Sequence, residues 1–148
     1  MRRDDRAARL AGLAGRLSTA LGLSTALRLS TALCRIDGVA ESDSAFSEGP
    51  GFWVNGKEIA HFEGTSAIDL RLTRGEIRAR RAQLRTDPRV TLRSSSSDWL
   101  TVEFCTAADE AFVLELAEIA AAAHRPPDGS APLLPPTGDA LARRRRFH

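Results

Sequence analysis

The sequence predicts an α+β domain in which an antiparallel sheet carries its helices mainly on one face. Three observations lead there: an Asn55-Gly56 pair between apolar stretches, a Thr73-x-x-Glu76 helix start that follows alternating strands, and a closing apolar-periodic segment near the end of the folded region. With 148 residues, 43% of them hydrophobic, the chain is sized for one small domain.

Residues 1–34 form an N-terminal extension in which LSTAL occurs at Leu17 to Leu21, Leu23 to Leu27 and Leu29 to Leu33. A six-residue period turns an α-helix by about 240° net, so successive copies cannot build one apolar stripe. Only the last part is expected to pack as a helix. Asp4, Asp5, Arg16 and Arg28 interrupt the basic and apolar pattern that an export signal requires. No run approaches the roughly 20 apolar residues of a membrane span, and the expected location is the cytoplasm.

The folded region is expected over residues 35–125. Phe52, Trp53 and Val54 precede Asn55-Gly56, and Lys57 to Phe62 follow, the pattern of a hairpin with a two-residue turn. Simple alternation then places Phe52, Val54, Ile59 and His61 on one face and Trp53, Ala60 and Phe62 on the other, with Phe52 opposite Ile59. After a turn at Glu63 to Ser66, Ile68, Leu70 and Leu72 alternate with Asp69 and Arg71, completing a three-strand meander. Thr73 and Glu76 have the spacing of a capping box for a helix that carries Ile77 and Leu84 on one side and ends before Pro88.

One or two further strands follow. Val90 and Leu92 begin one, Ser94 to Asp98 interrupts it, and Leu100, Val102 and Phe104 point inward from the next. Thr106 and Asp109 cap a closing helix in which Phe112, Leu116, Ile119, Ala120 and Ala123 recur at helical spacing up to His124. Residues 126–148 are rich in proline and arginine, lack apolar periodicity and are expected to be disordered. Their Arg143 to Arg146 run reads as a solvated tail.

Several functional classes are disfavoured by these features. Cys34 and Cys105 are too few for a disulfide scaffold and lack paired zinc spacing, and they read as reduced thiols. No glycine-rich strand-to-helix turn is present to cradle a nucleotide phosphate, and no G-x-S-x-G elbow supports a serine hydrolase. A formal net charge of +2 argues against nucleic acid as the main partner.

His61 and Asp69 are the candidate catalytic residues. Glu63, two residues after His61, projects from the same face, and an imidazole beside carboxylates suits proton transfer or cation binding. No metal site is assigned and no cofactor is specified. Trp53, Glu63, Asp98 and Trp99 are candidate ligand-binding residues. Between Arg74 and Arg93, seven arginines face two carboxylates, and this excess reads either as a phosphate-binding surface on helix 74–85 or as the complement of the acidic closing helix.

The stretch Trp53-Val54-Asn55-Gly56-Lys57-Glu58-Ile59-Ala60-His61-Phe62, then IDLRLTRGEIRARR, then SSSDWLTVEF, resembles bacterial luciferase-domain proteins over about residues 50–125. Those proteins carry EIAHFH or EIGHLH where this chain has Glu58-Ile59-Ala60-His61-Phe62-Glu63, so a second histidine is replaced by glutamate. The resemblance implies a small α+β domain and a distant link to oxygen-dependent oxidation. The first expectation is a binding or interaction module for a small molecule or a protein, using an exposed sheet face around His61, Glu63, Asp69 and Trp99. Its alternatives are an oxidoreductase-like enzyme using His61 and nucleic-acid binding through helix 74–85.

Overall fold

The computed structural model describes residues 23–146. They form an α+β domain around a six-stranded antiparallel sheet. Residues 23–34 are helical, α1. The strands β1 (Ala40–Asp43), β2 (Pro50–Val54), β3 (Lys57–Glu63) and β4 (Ala67–Arg71) lead into α2 (Arg74–Thr86); then come β5 (Val90–Leu92), β6 (Trp99–Glu103), α3 (Ala107–His124) and α4 (Gly138–Arg146). The sheet order is β1-β2-β3-β4-β6-β5, so the expected meander sits at its centre. Among the described residues, no helix is long and apolar enough to cross a membrane.

One face of the sheet is the main core. Phe52, Ala60, Ile68, Leu70, Leu100 and Val102 pack there with Leu29 and Leu33 of α1, Ile77 and Leu84 of α2, and Val113, Leu116 and Ala117 of α3. The LSTAL copies within the described residues illustrate their geometric conflict. Leu29 and Leu33 are buried, whereas Leu23 and Leu27, one copy earlier, are exposed. The first copy, Leu17 to Leu21, lies outside the described residues. The stripe of α3 is rotated from the expected one: Val113, Leu116, Ala117, Ala120 and Ala121 are buried, while Phe112 and Ile119 lie at its margin. Alanines let α3 approach the sheet closely, so the small residues turn inward.

The caps follow the sequence with one difference. Thr106 and Asp109 make a complete capping box. At α2 the Thr73 hydroxyl accepts from the Glu76 amide, but the Thr73 amide bonds to the Asp98 carbonyl and the Glu76 carboxylate pairs with Arg80. Half of the expected box is therefore replaced by a tertiary contact. The Asn55-Gly56 turn has the required positive φ at both residues, 49° and 74°.

Two segments depart from the sequence expectation. Ala40–Asp43 forms the edge strand β1, paired with β2, although its AESD sequence carries no apolar alternation; an edge strand needs a partner's backbone more than a buried face. Residues 138–146, expected to be disordered, form α4 and lie across the other face of the sheet. Leu141 is buried there with Ala45 and Trp53, Arg144 donates to the Gly56 carbonyl at 2.8 Å, and Arg145 donates to the Ser44 carbonyl at 2.9 Å. A helix this short is marginal by itself, and docking supplies what local sequence does not.

Candidate functional site

The site is built on one row of cross-strand neighbours on the face opposite the main core. Ser42 pairs with Gly51, Gly51 with His61, His61 with Asp69 and Asp69 with Thr101. These positions bring polar groups from consecutive strands into line. The β1–β2 loop closes over them, and His61 and Asp69 are each only 3% exposed. The sheet face expected to be open to solvent is thus covered. The apolar groups on it, Trp53 above all, require a cover, and the loop and α4 provide it.

A break in register decides which residues share this face. Phe52 pairs with Ala60 and Trp53 with Glu58, so Ile59 is an extra residue on β3. Ile59 and Ala60 both join the main core, and Glu58 turns to the side of His61. The alternation expected from the sequence, with Phe52 opposite Ile59 and His61 beside Phe52, is therefore incorrect beyond the turn. A bulge shifts the phase by one residue and reverses every subsequent assignment.

His61 is held at both ring nitrogens. Its Nε2 lies 3.0 Å from Oδ2 of Asp69 and 3.2 Å from Oε1 of Glu63. Its Nδ1 lies 3.0 Å from Oε2 of Glu58, within ion-pair distance but off the line of a hydrogen bond. Glu58 also accepts from the Ser44 hydroxyl at 2.6 Å and from the Ala45 amide at 2.6 Å, tying the β1–β2 loop to the sheet. Asp69 accepts from Thr101 Oγ1 at 2.6 Å and from Arg93 Nη2 at 2.8 Å. The ring stacks on Phe46, with centroids 5.5 Å apart, and tilts against Trp99 at 5.1 Å.

These contacts set the protonation of the pair. Burial by itself would lower the pKa of His61, but the hydrogen bond to Asp69 and the contacts and charges of Glu58 and Asp69 outweigh it and raise the value to about 9. Burial would raise Asp69, yet the hydrogen bonds from His61 and Thr101 and the charges of Arg93 and His61 hold it at about 2. At neutral pH the centre is an imidazolium between carboxylates. Such a group donates protons or fixes charge, and it is a poor general base.

Among the described residues, one ligand atom each from His61, Glu63 and Asp69 lie within 4.8 Å of one another, a spacing that a divalent cation can bridge. Beside this network is a cavity of about 340 Å³, lined by Ala45, Phe46, Trp53, Lys57, Glu58, Arg71 and Arg144. Glu58 therefore belongs both to the histidine network and to the cavity wall.

Of the residues expected from the sequence, His61, Glu63, Asp69 and Trp99 come together, and Trp53 lines the adjoining cavity. Asp98 does not join them. It is exposed at the start of α2, where its carboxylate accepts from the Arg74 amide at 2.9 Å. Glu58, Ser44, Thr101 and Arg93 escaped sequence reasoning. Thr101 is placed by strand pairing and Arg93 by the reach of its side chain, neither of which leaves a local pattern. Both cysteines are free and exposed. Comparisons with protein-family models, with curated proteins and with solved structures found no match.

Proposed function

We propose that the chain is a small-ligand-binding module of the luciferase-domain kind, with its ligand in the cavity beside the His61 network. The observation that carries this reading is the shared wall. Glu58 contributes to a cavity of about 340 Å³ and sits 3.0 Å from the imidazole, so occupancy and the charge network are coupled. The volume falls within the range typical of small-molecule sites. The likeness of residues 50–125 to luciferase-domain proteins supports the family part of the reading.

The alternatives receive less support. As an acid or base, His61 is only 3% exposed, so a substrate meets it only through the half-exposed Glu63. As a nucleic-acid surface, the arginine-rich segment has Arg80 paired with Glu76, Arg89 with Asp87 and Asp109, and Arg93 with Asp69. Three of the seven arginines are thus engaged by carboxylates of the fold, which reduces the positive charge that the segment presents.

The test is thermal unfolding of the full chain against a panel of anionic, neutral and cationic small molecules, with Ala45→Leu as the cavity-filling variant. A ligand at about 100 times its Kd adds roughly 2.7 kcal/mol to the folded state. A raised midpoint that is lost in a folded Ala45→Leu supports the reading. No shift with any compound, or an equal shift in Ala45→Leu, overturns it.

A further inference from the structure

Resting on that reading, we propose that the cavity takes a small organic oxyanion, a carboxylate or phosphate ester, which binds Lys57, Arg71 and Arg144 and lays its apolar part against Phe46 and Trp53. Three cationic side chains line the space, against one carboxylate, that of Glu58. The Glu58 oxygens already accept from Ser44 and Ala45 and face His61. That carboxylate is thus engaged on its far side, and the cavity presents an excess of positive charge.

Arg71 is the least exposed of the three. Its guanidinium lies 4.9 Å from the Trp99 ring centroid and 5.7 Å from that of Phe46, and no ion pair holds it among the described residues. Its Nε is buried without a hydrogen-bond partner among the described residues, as is the indole Nε1 of Trp53, another wall residue. Burial lowers the pKa of Arg71; the charges of Asp98 and Glu58 oppose this, and that of Arg144 adds to it. A desolvated arginine near a second arginine gains from an oxyanion, and its planar fork matches two oxygens. Lys57 is exposed at the rim and makes no ion pair among the described residues. Arg144 arrives on α4, donates to the Gly56 carbonyl at 2.8 Å and lies 5.7 Å from the Trp53 ring. The C-terminal helix therefore completes the site as well as covering the sheet.

Tryptophan fluorescence reads this site directly, because the chain has two tryptophans and no tyrosine; Trp53 lines the cavity and Trp99 lies under Arg71. The full chain is titrated with phenyl phosphate, benzoate, inorganic phosphate and the neutral benzamide. Phenyl phosphate or benzoate is expected to give a saturable change that weakens with added salt, while benzamide binds at least about tenfold less tightly. Lys57→Gln, a surface change that leaves the fold in place, is expected to weaken the anion by about tenfold, and Arg71→Met by more. The relative affinities of phenyl phosphate, benzoate and inorganic phosphate identify which oxyanion the site prefers. Benzamide binding as well as benzoate, or an affinity unchanged in Lys57→Gln and Arg144→Gln, overturns the oxyanion assignment while leaving the cavity as a ligand site. Silence from every anion also overturns it, and the midpoint screen with neutral and cationic compounds then judges the cavity separately.

Discussion

Glu58 and His61, three residues apart on one strand, meet side chain to side chain at 3.0 Å. Regular strand geometry places such residues on opposite faces; the extra residue Ile59 brings them together. This pair ties the β1–β2 loop, the central strands and the cavity wall into one unit, and its energetics are open to measurement.

Removing the Glu58 carboxylate leaves the imidazolium, the Ser44 hydroxyl and the Ala45 amide without their acceptor in a buried site. Breaking one side of such a pair costs about 3–5 kcal/mol. Urea unfolding of Glu58→Ala is expected to show a loss in that range, and Glu58→Gln, which keeps an acceptor oxygen, a smaller one. A loss below about 1 kcal/mol in Glu58→Ala would show that the pair is not a structural tie.

The raised pKa of His61 makes stability depend on pH in a definite direction. Its folded value, about 9, exceeds the ordinary 6.5, so its contribution is complete below about pH 6.5 and is lost as the pH rises through 9. Asp69, held at about 2 against an ordinary 3.8, contributes above about pH 4 and loses that contribution as the pH falls toward 2. The thermal midpoint is expected to be highest between about pH 4 and 6.5 and to fall toward pH 9.5, with a loss on the order of 2–3 kcal/mol. The alkaline fall should vanish in His61→Asn; a midpoint that is flat from pH 6 to 9 contradicts the charged imidazole.

Gly51 has no room for a side chain. A Cβ there would lie 3.0 Å from Cδ of Glu58 and 3.0 Å from the backbone Cα of Ser44. Because one of those neighbours is main chain, Gly51→Ala is expected to cost about 1–3 kcal/mol and to shift the His61 imidazole resonances. An unchanged unfolding midpoint would show that the loop yields freely.

Helix α4 protects Trp53, which is 1% exposed. Leu141→Ala removes the main apolar contact of the helix and is expected to cost about 2 kcal/mol. Ending the chain after Thr137 should shift tryptophan emission to longer wavelength and expose the cavity to a small quencher. Emission and quenching identical to those of the full chain would place the helix elsewhere in solution.

Local patterns in the sequence were enough to determine the α+β class, the Asn55-Gly56 hairpin, the central meander and the helix starts at Thr73 and Thr106. Each depends on neighbouring residues: two positive-φ positions, a period of two, a hydroxyl three residues from an amide. His61, Glu63 and Asp69 were legible as a group because they lie at alternating positions on adjacent strands. Only the tertiary structure decided that Glu58 joins them, since a bulge reverses the phase without any local mark in KEIAHFE. It also decided that AESD becomes a strand and that the arginine-rich tail becomes a helix, because both form against surfaces supplied by distant parts of the chain. The covered face and its cationic cavity follow from that docking: adjacent strands of the sheet place Lys57 and Arg71, and the packing of α4 across the sheet adds Arg144, far away in sequence.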